Sequence, residues 1–168
     1  MIDEVAGIYR LETDKLLMHG FSGGGQFVHR FFYLYPERLS AVSIGAPGVV
    51  TLPDPDKPWW RGTAGMKEIF GREPDLAAMR EVAVQMVVGG DDIETWDVTV
   101  SPRSSNWIEG INETGETRVE RLRSLEKAFQ ALEIPVRFDV VPGVEHIGYL
   151  VHPPVKAFFT DVLRRRQQ

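Results

Sequence analysis

The sequence contains no cysteine. Disulfides, thiolate metal sites and a cysteine nucleophile are therefore excluded. It has no apolar run long enough to span a membrane and no visible signal-peptide pattern. Positive charge is in short supply as well: 19 Lys and Arg stand against 24 Asp and Glu, giving a net charge of −5. Nucleic-acid binding favours a basic face, so no nucleic-acid partner is expected. Internal repeats and low-complexity tracts are missing too. The run Arg164–Arg166 reads as a solvated helix end, where the macrodipole favours cations. What remains has an ordinary globular balance, 43% hydrophobic and 26% charged, which argues against disorder. A chain of 168 residues suits a single domain over 1–168.

The periodicity alternates between helix and strand. Ile2, Val5, Ala6 and Tyr9 recur at helical spacing and predict a helix over 2–11. Lys15–Met18 reads as a short buried strand. Phe27, Val28, Phe31, Phe32 and Tyr35 form one face of a helix that Pro36 ends. Strands follow at Ala41–Ile44, at Val82–Val88 (apolar except for Gln85) and at Val136–Val141. Thr117-Arg118-Val119-Glu120 resembles a capping box opening a helix through Leu132. Pro154 opens the last helix, with Val155, Phe158, Phe159 and Val162 inward. Two long loops, 45–80 and 89–116, interrupt the pattern. Strands separated by helices imply an α/β fold, a mostly parallel sheet with helices on both faces.

In such sheets the chemistry gathers beyond the carboxyl ends of the strands. Ser22 follows the first strand, Asp91 and Asp92 the third, and His146 the fourth. A nucleophile, an acid and a base thus fall at three strand ends. Gly20-Phe21-Ser22-Gly23-Gly24 is a G-x-S-x-G pattern between a strand and a helix. A serine on such a tight turn is lifted above the sheet, and side chains at Gly20 and Gly24 are expected to collide with neighbouring backbone. The turn also aims the Gly23 N–H at the place where an oxyanion would form. Two other readings are close packing of strand and helix, or a phosphate cradle, although the lysine of a P-loop is absent. Among the other histidines, His29 is expected on the surface or in packing, His19 in a structural role, and His152 at a helix entry.

The stretch Leu16–Phe27 resembles the nucleophile elbow of the α/β-hydrolases. Tyr35-Pro36-Glu37-Arg38-Leu39-Ser40-Ala41-Val42 resembles their link to the next strand. Val87-Val88-Gly89-Gly90-Asp91-Asp92 is similar to the strand ending in G-x-x-D that delivers the acid, and Val141–His146 to the histidine loop. The esterase and polyhydroxyalkanoate-depolymerase-like branches are nearest in flavour. The resemblance implies a carboxylic ester hydrolase with Ser22 as nucleophile, His146 as base, Asp92 rather than Asp91 as acid, and Gly23 in the oxyanion hole. An acid after the preceding strand would have to be Asp54, which lies too far along. No metal and no cofactor is expected. Phe21, Trp59, Trp60 and Trp107 are the expected lining of the substrate pocket, the tryptophans falling in the long loops. Their other reading is as cover for core, as large aromatics often provide.

The family carries about four strands ahead of the elbow strand, including the loop that supplies the second oxyanion donor. Here only residues 1–14 precede Lys15. The expectation is a truncated α/β-hydrolase fold, either a piece of a longer enzyme or a reduced form completed by association. An unpaired strand edge invites association, so a homodimer through Lys15–Met18 or the first helix is expected. Location follows the same fork: cytoplasmic if the chain is complete, open to secretion if a segment is missing. Two function classes result. One is a serine hydrolase acting on small or polymeric acyl esters, with thioesters and amides open to the same machinery. The other is a non-catalytic hydrolase-like module or inactive fragment without a complete oxyanion hole.

Overall fold

Four apolar runs become the four strands of one parallel sheet in the computed structural model, which describes residues 2–10 and 13–166. The strands are β1 (Leu16–Phe21), β2 (Leu39–Gly45), β3 (Ala83–Gly89) and β4 (Val136–Val141), lying in the order β1-β2-β3-β4. All three pairings are parallel. β1 runs three residues beyond the apolar stretch that announces it, because Gly20 and Phe21 still pair with Ile44 and Gly45.

The helices are α1 (Ile2–Tyr9), α2 (Gly23–Leu34), α3 (Met66–Phe70), α4 (Leu76–Arg80), α5 (Arg118–Ala131) and α6 (His152–Arg166). The loop expected over 45–80 therefore contains two single-turn helices. On one face of the sheet α2 and α5 meet, with Phe32 and Tyr33 packed on Phe129 at ring distances of 5.8 and 6.0 Å. On the other face Val155 of α6 joins a smaller cluster with Val87, Val144 and Val151. β2 is buried along its whole length and β3 nearly so, while β1 and β4 form half-exposed edges. Gln85, the polar break in β3, is fully buried and stitches the α6 face together. Its amide accepts from the Ser43 hydroxyl and donates to Asp139 Oδ2 and the Pro154 carbonyl.

The capping box forms as read: Thr117 accepts from the Glu120 N–H, and Glu120 accepts from the Thr117 N–H. α1 also forms, although Leu11 lies outside the described residues. Its apolar side chains stay in water: Val5 is 41% exposed, Ile8 67% and Tyr9 69%.

His29 is in packing and not on the surface. It is fully buried, donates from Nδ1 to the Gly25 carbonyl at 2.8 Å, and accepts the Thr51 N–H at Nε2 at 3.0 Å. Burial pushes its pKa from 6.5 down to about 3, against a smaller upward pull from the Gly25 carbonyl. Thr51 is correspondingly a hub. Its carbonyl accepts from Tyr33, and its hydroxyl accepts from Arg30 Nε and donates to the Trp60 carbonyl. One buried threonine thus fixes the start of the long loop against three residues of α2.

Candidate active site

The turn between β1 and α2 holds Ser22 at φ 56°, ψ −117°. A non-glycine residue in such a region stores on the order of 1–3 kcal/mol and persists only where its surroundings enforce it. Here the enforcement is visible. The Ser22 N–H donates to the Gly45 carbonyl at 2.9 Å, and the Ser22 carbonyl accepts from Gln26 at 3.0 Å. Two glycines permit the close approach. A Cβ on Gly20 would lie 2.2 Å from the Gly24 carbonyl oxygen, and one on Gly25 would lie 2.3 Å from that of Gly45. Gly24 itself meets nothing within 4 Å. The steric requirement expected at Gly24 therefore falls one residue later. The reason is that α2 turns its Gly25 face, not its Gly24 face, onto the end of β2.

The other two strand ends are tied to each other. A Cβ on Gly89 would lie 2.2 Å from the Val144 carbonyl oxygen. The N–H groups of Gly90 and Asp91 donate to Val141 and Val144 at 2.8 and 2.9 Å. This docking brings His146 Nδ1 to 2.7 Å from Asp92 Oδ2. With Nδ1 carrying the proton, Nε2 is left as the acceptor. Asp92 is 1% exposed, whereas the neighbouring Asp91 side chain faces solvent. The His146 ring lies on Phe21, the residue before Ser22, at 4.7 Å between centroids and 29° between planes. Phe21 thus packs against the imidazole, and Gly148 comes so close that a Cβ there would stand 3.0 Å from the Phe21 ring. Among the described residues no hydrogen bond reaches the Ser22 hydroxyl. Such contacts are often long before substrate arrives.

Sequence reasoning passed over Arg118. Its NH1 donates to Asp92 Oδ1 at 3.1 Å and its NH2 pairs with Asp97. Asp92 therefore receives one donor on each carboxylate oxygen, which fixes the plane of the group that holds His146. A signal for it exists in the sequence. A cation in the first turn of a helix opposes the macrodipole, so Arg118 needs a carboxylate from elsewhere.

His19 is spent on β2 and the start of α6. Its Nδ1 lies 3.0 Å from the Ser43 hydroxyl, and its ring meets His152 edge-on at 6.0 Å. Burial pushes its pKa down, the Ser43 backbone carbonyl at 3.1 Å pulls it up, and His152 adds a further downward push. Of the tryptophans, Trp59 and Trp60 border two different clefts beside α2, of about 430 and 390 Å³. Trp107 borders neither, and Trp96 is 76% exposed. A cleft of about 500 Å³ between Pro53 and Leu76 touches none of Ser22, Asp92 or His146. Among the described residues no helix is long and apolar enough to cross a membrane.

This arrangement of strands and helices recurs in solved structures. Poly(aspartic acid) hydrolase-1 from Sphingomonas sp. KT-1 superposes with a TM-score of 0.71 at 20% identity, over 94% of this chain and 60% of its own. The chain has the α/β-hydrolase fold. A poly(3-hydroxybutyrate) depolymerase from Bordetella parapertussis shares that fold at TM-score 0.70 and 20% identity, over 96% of this chain and 57% of its own. A ferulic acid esterase matches at 0.61 and 18% identity, over 97% and 56%. The α/β-hydrolase match therefore spans under two thirds of the length of these structures. No family model matches the sequence, and no curated protein matches it.

Proposed function

We propose that the chain carries the catalytic residues of a serine hydrolase that cleaves carboxylic esters through an acyl-enzyme. The observation that carries this reading is the 2.7 Å contact between His146 Nδ1 and Asp92 Oδ2, with the imidazole stacked on Phe21, the residue that precedes a serine held at positive φ. In this scheme Ser22 Oγ attacks the carbonyl carbon while His146 Nε2 takes the hydroxyl proton. The carbonyl oxygen becomes an oxyanion that the Gly23 N–H stabilises at the start of α2. Collapse breaks the ester C–O bond, and the His146 proton goes to the departing alcohol. Water then repeats the sequence, giving the acid and restoring Ser22. Asp92 keeps the proton on Nδ1 and stabilises the imidazolium as it forms. Two solved structures sharing the fold are named as a depolymerase of a hydroxybutyrate polymer and as an esterase, which supports an ester as substrate.

Labelling tests the proposal. A fluorophosphonate should modify Ser22 and no other serine, and Ser22→Ala should abolish turnover of a chromogenic short-chain ester. Mass spectrometry finding no adduct at Ser22 would overturn it. A second reading, a hydrolase-like module without turnover, is favoured by the Ser22 hydroxyl having no hydrogen bond among the described residues. It predicts no adduct and no turnover. Self-association through the outer edge of β1 belongs to the proposal as well. It is supported by the exposed Val5, Ile8 and Tyr9 of α1, and a monomer across micromolar concentrations in light scattering would reject it.

A further inference from the structure

One face of α2 runs from the serine turn towards Tyr35 as the floor of the 430 Å³ cleft. Gly23 stands at its beginning, and Phe27, Phe31, Trp59 and Phe70 give it apolar walls. Arg30 lies on the same helical face, four residues from Gln26, and also borders the 390 Å³ cleft that Trp60 closes. Among the described residues it is the one charged residue lining either cleft, and no Asp or Glu borders them. Its Nε is spent on the Thr51 hydroxyl at 3.0 Å, and its guanidinium carbon sits 5.4 Å from the Trp59 ring. Among the described residues no carboxylate pairs with it. In a chain of net charge −5, a half-buried guanidinium with a fixed plane and no acidic partner is an anion receptor. Burial lowers its pKa, so an arriving anion would offset a desolvation already in place.

We propose that Arg30 binds a carboxylate on the acyl chain of the substrate, making the protein selective for esters of acids that carry a second, remote carboxylate. The assignment to the acyl side follows from His146. The leaving oxygen must reach that imidazole, and no residue of the histidine loop lines either cleft, so the acyl chain takes the α2 side. Arg30 stands eight residues beyond Ser22, a helical rise of about 12 Å. That reach calls for a long α,ω-dicarboxylic chain, whose methylenes would lie along Phe27 and Phe31. The subsite rests on the hydrolase reading of Ser22.

The test uses a matched pair: the 4-nitrophenyl half-ester of sebacic acid, and the same molecule with its free carboxylate capped as a methyl ester. In the native protein kcat/KM should favour the anionic member by on the order of tenfold or more, the range of a charge-assisted hydrogen bond. Arg30→Met, which keeps an aliphatic stem under Trp59, should bring the ratio to about unity. Arg30→Lys should keep part of the preference, and salt should erode it. A merely structural role for Arg30 would lower both rates and leave the ratio unmoved. A ratio near unity in the native protein, or one unchanged in Arg30→Met, overturns the subsite and leaves the hydrolase reading standing. Calorimetric binding of monomethyl sebacate to Ser22→Ala separates the other case. Binding that Arg30→Met abolishes upholds the subsite, and if the native protein turns over neither nitrophenyl ester it is the hydrolysis that is overturned. Equal binding with and without Arg30 overturns the subsite.

Discussion

His29 should make the fold acid-sensitive in a way that can be calculated beforehand. Folded, the ring is neutral, donating from Nδ1 to Gly25 and accepting the Thr51 N–H at Nε2. A proton on Nε2 would place two donors face to face in a fully buried position. Burial, with a smaller push from the neighbouring Arg30, drops the pKa from 6.5 to about 3. Released by unfolding, the ring titrates near 6.5 again. Between these values the unfolded chain binds the extra proton, so stability falls as pH falls and is fully present above about pH 6.5. Each pH unit in that window costs about 1.4 kcal/mol. The loss at pH 5 is then about 2 kcal/mol, with a ceiling near 5 kcal/mol at the bottom of the window. Guanidinium unfolding of the native protein and of His29→Gln, each at pH 7.5 and pH 5, isolates this contribution. The glutamine amide can still accept from Thr51, so the variant keeps a partner there but takes up no proton. Its stability should fall less between the two pH values, by about 2 kcal/mol. Equal falls in the two proteins would refute the reasoning, whatever the variant's absolute stability.

Two further outcomes follow from the geometry. Gly25→Ala drives a Cβ to 2.3 Å from backbone, whereas Gly24→Ala meets nothing. Thermal melts should show Gly25→Ala strongly destabilised and Gly24→Ala near neutral, and the reverse order would refute the placement of α2 on β2. Arg118→Ala strands the buried Asp92 carboxylate with one donor fewer, at a cost of about 3 kcal/mol. Denaturant unfolding that shows a loss below about 1 kcal/mol would mean the pair contributes no more than a surface contact.

The sheet was legible because strand-length apolar runs alternate with helical periodicity, and because the strands follow one another in space as in sequence. The juxtaposition of Asp92 and His146 follows from the same logic, since consecutive parallel strands end on one side. Other features were not legible, for identifiable reasons. Helical periodicity says that His29 is on α2 but not that its ring turns inward, because a histidine fits either face. Gly24 and Gly25 are indistinguishable as letters, and only the packing of α2 on Gly45 decides which of them must lack a side chain. Arg30 reads as the polar face of an amphipathic helix until the loop bearing Thr51 and Trp59 closes over it. The exposure of α1 was hidden for the opposite reason. Its pattern promises a buried face, but nothing among the described residues covers Ile8 or Tyr9.

The two halves of the site are anchored independently, and this bears on how such a protein can change. The loops after β3 and β4 are locked to each other through Gly89 and Val144, and neither loop lines the 430 Å³ cleft, so the spacing of Asp92 and His146 does not depend on what borders that cleft. The 430 Å³ cleft is built from α2 and from Trp59 and Phe70 of the segment between β2 and α4, a segment held by Thr51 and not by the histidine loop. Replacing Phe70 or Trp59 therefore redraws the walls without moving a proton-transfer partner. Drift in that cleft is sheltered from drift in the chemistry, so directed evolution of this chain for new acyl groups has a natural place to begin, at Trp59 and Phe70, which touch α2 from outside.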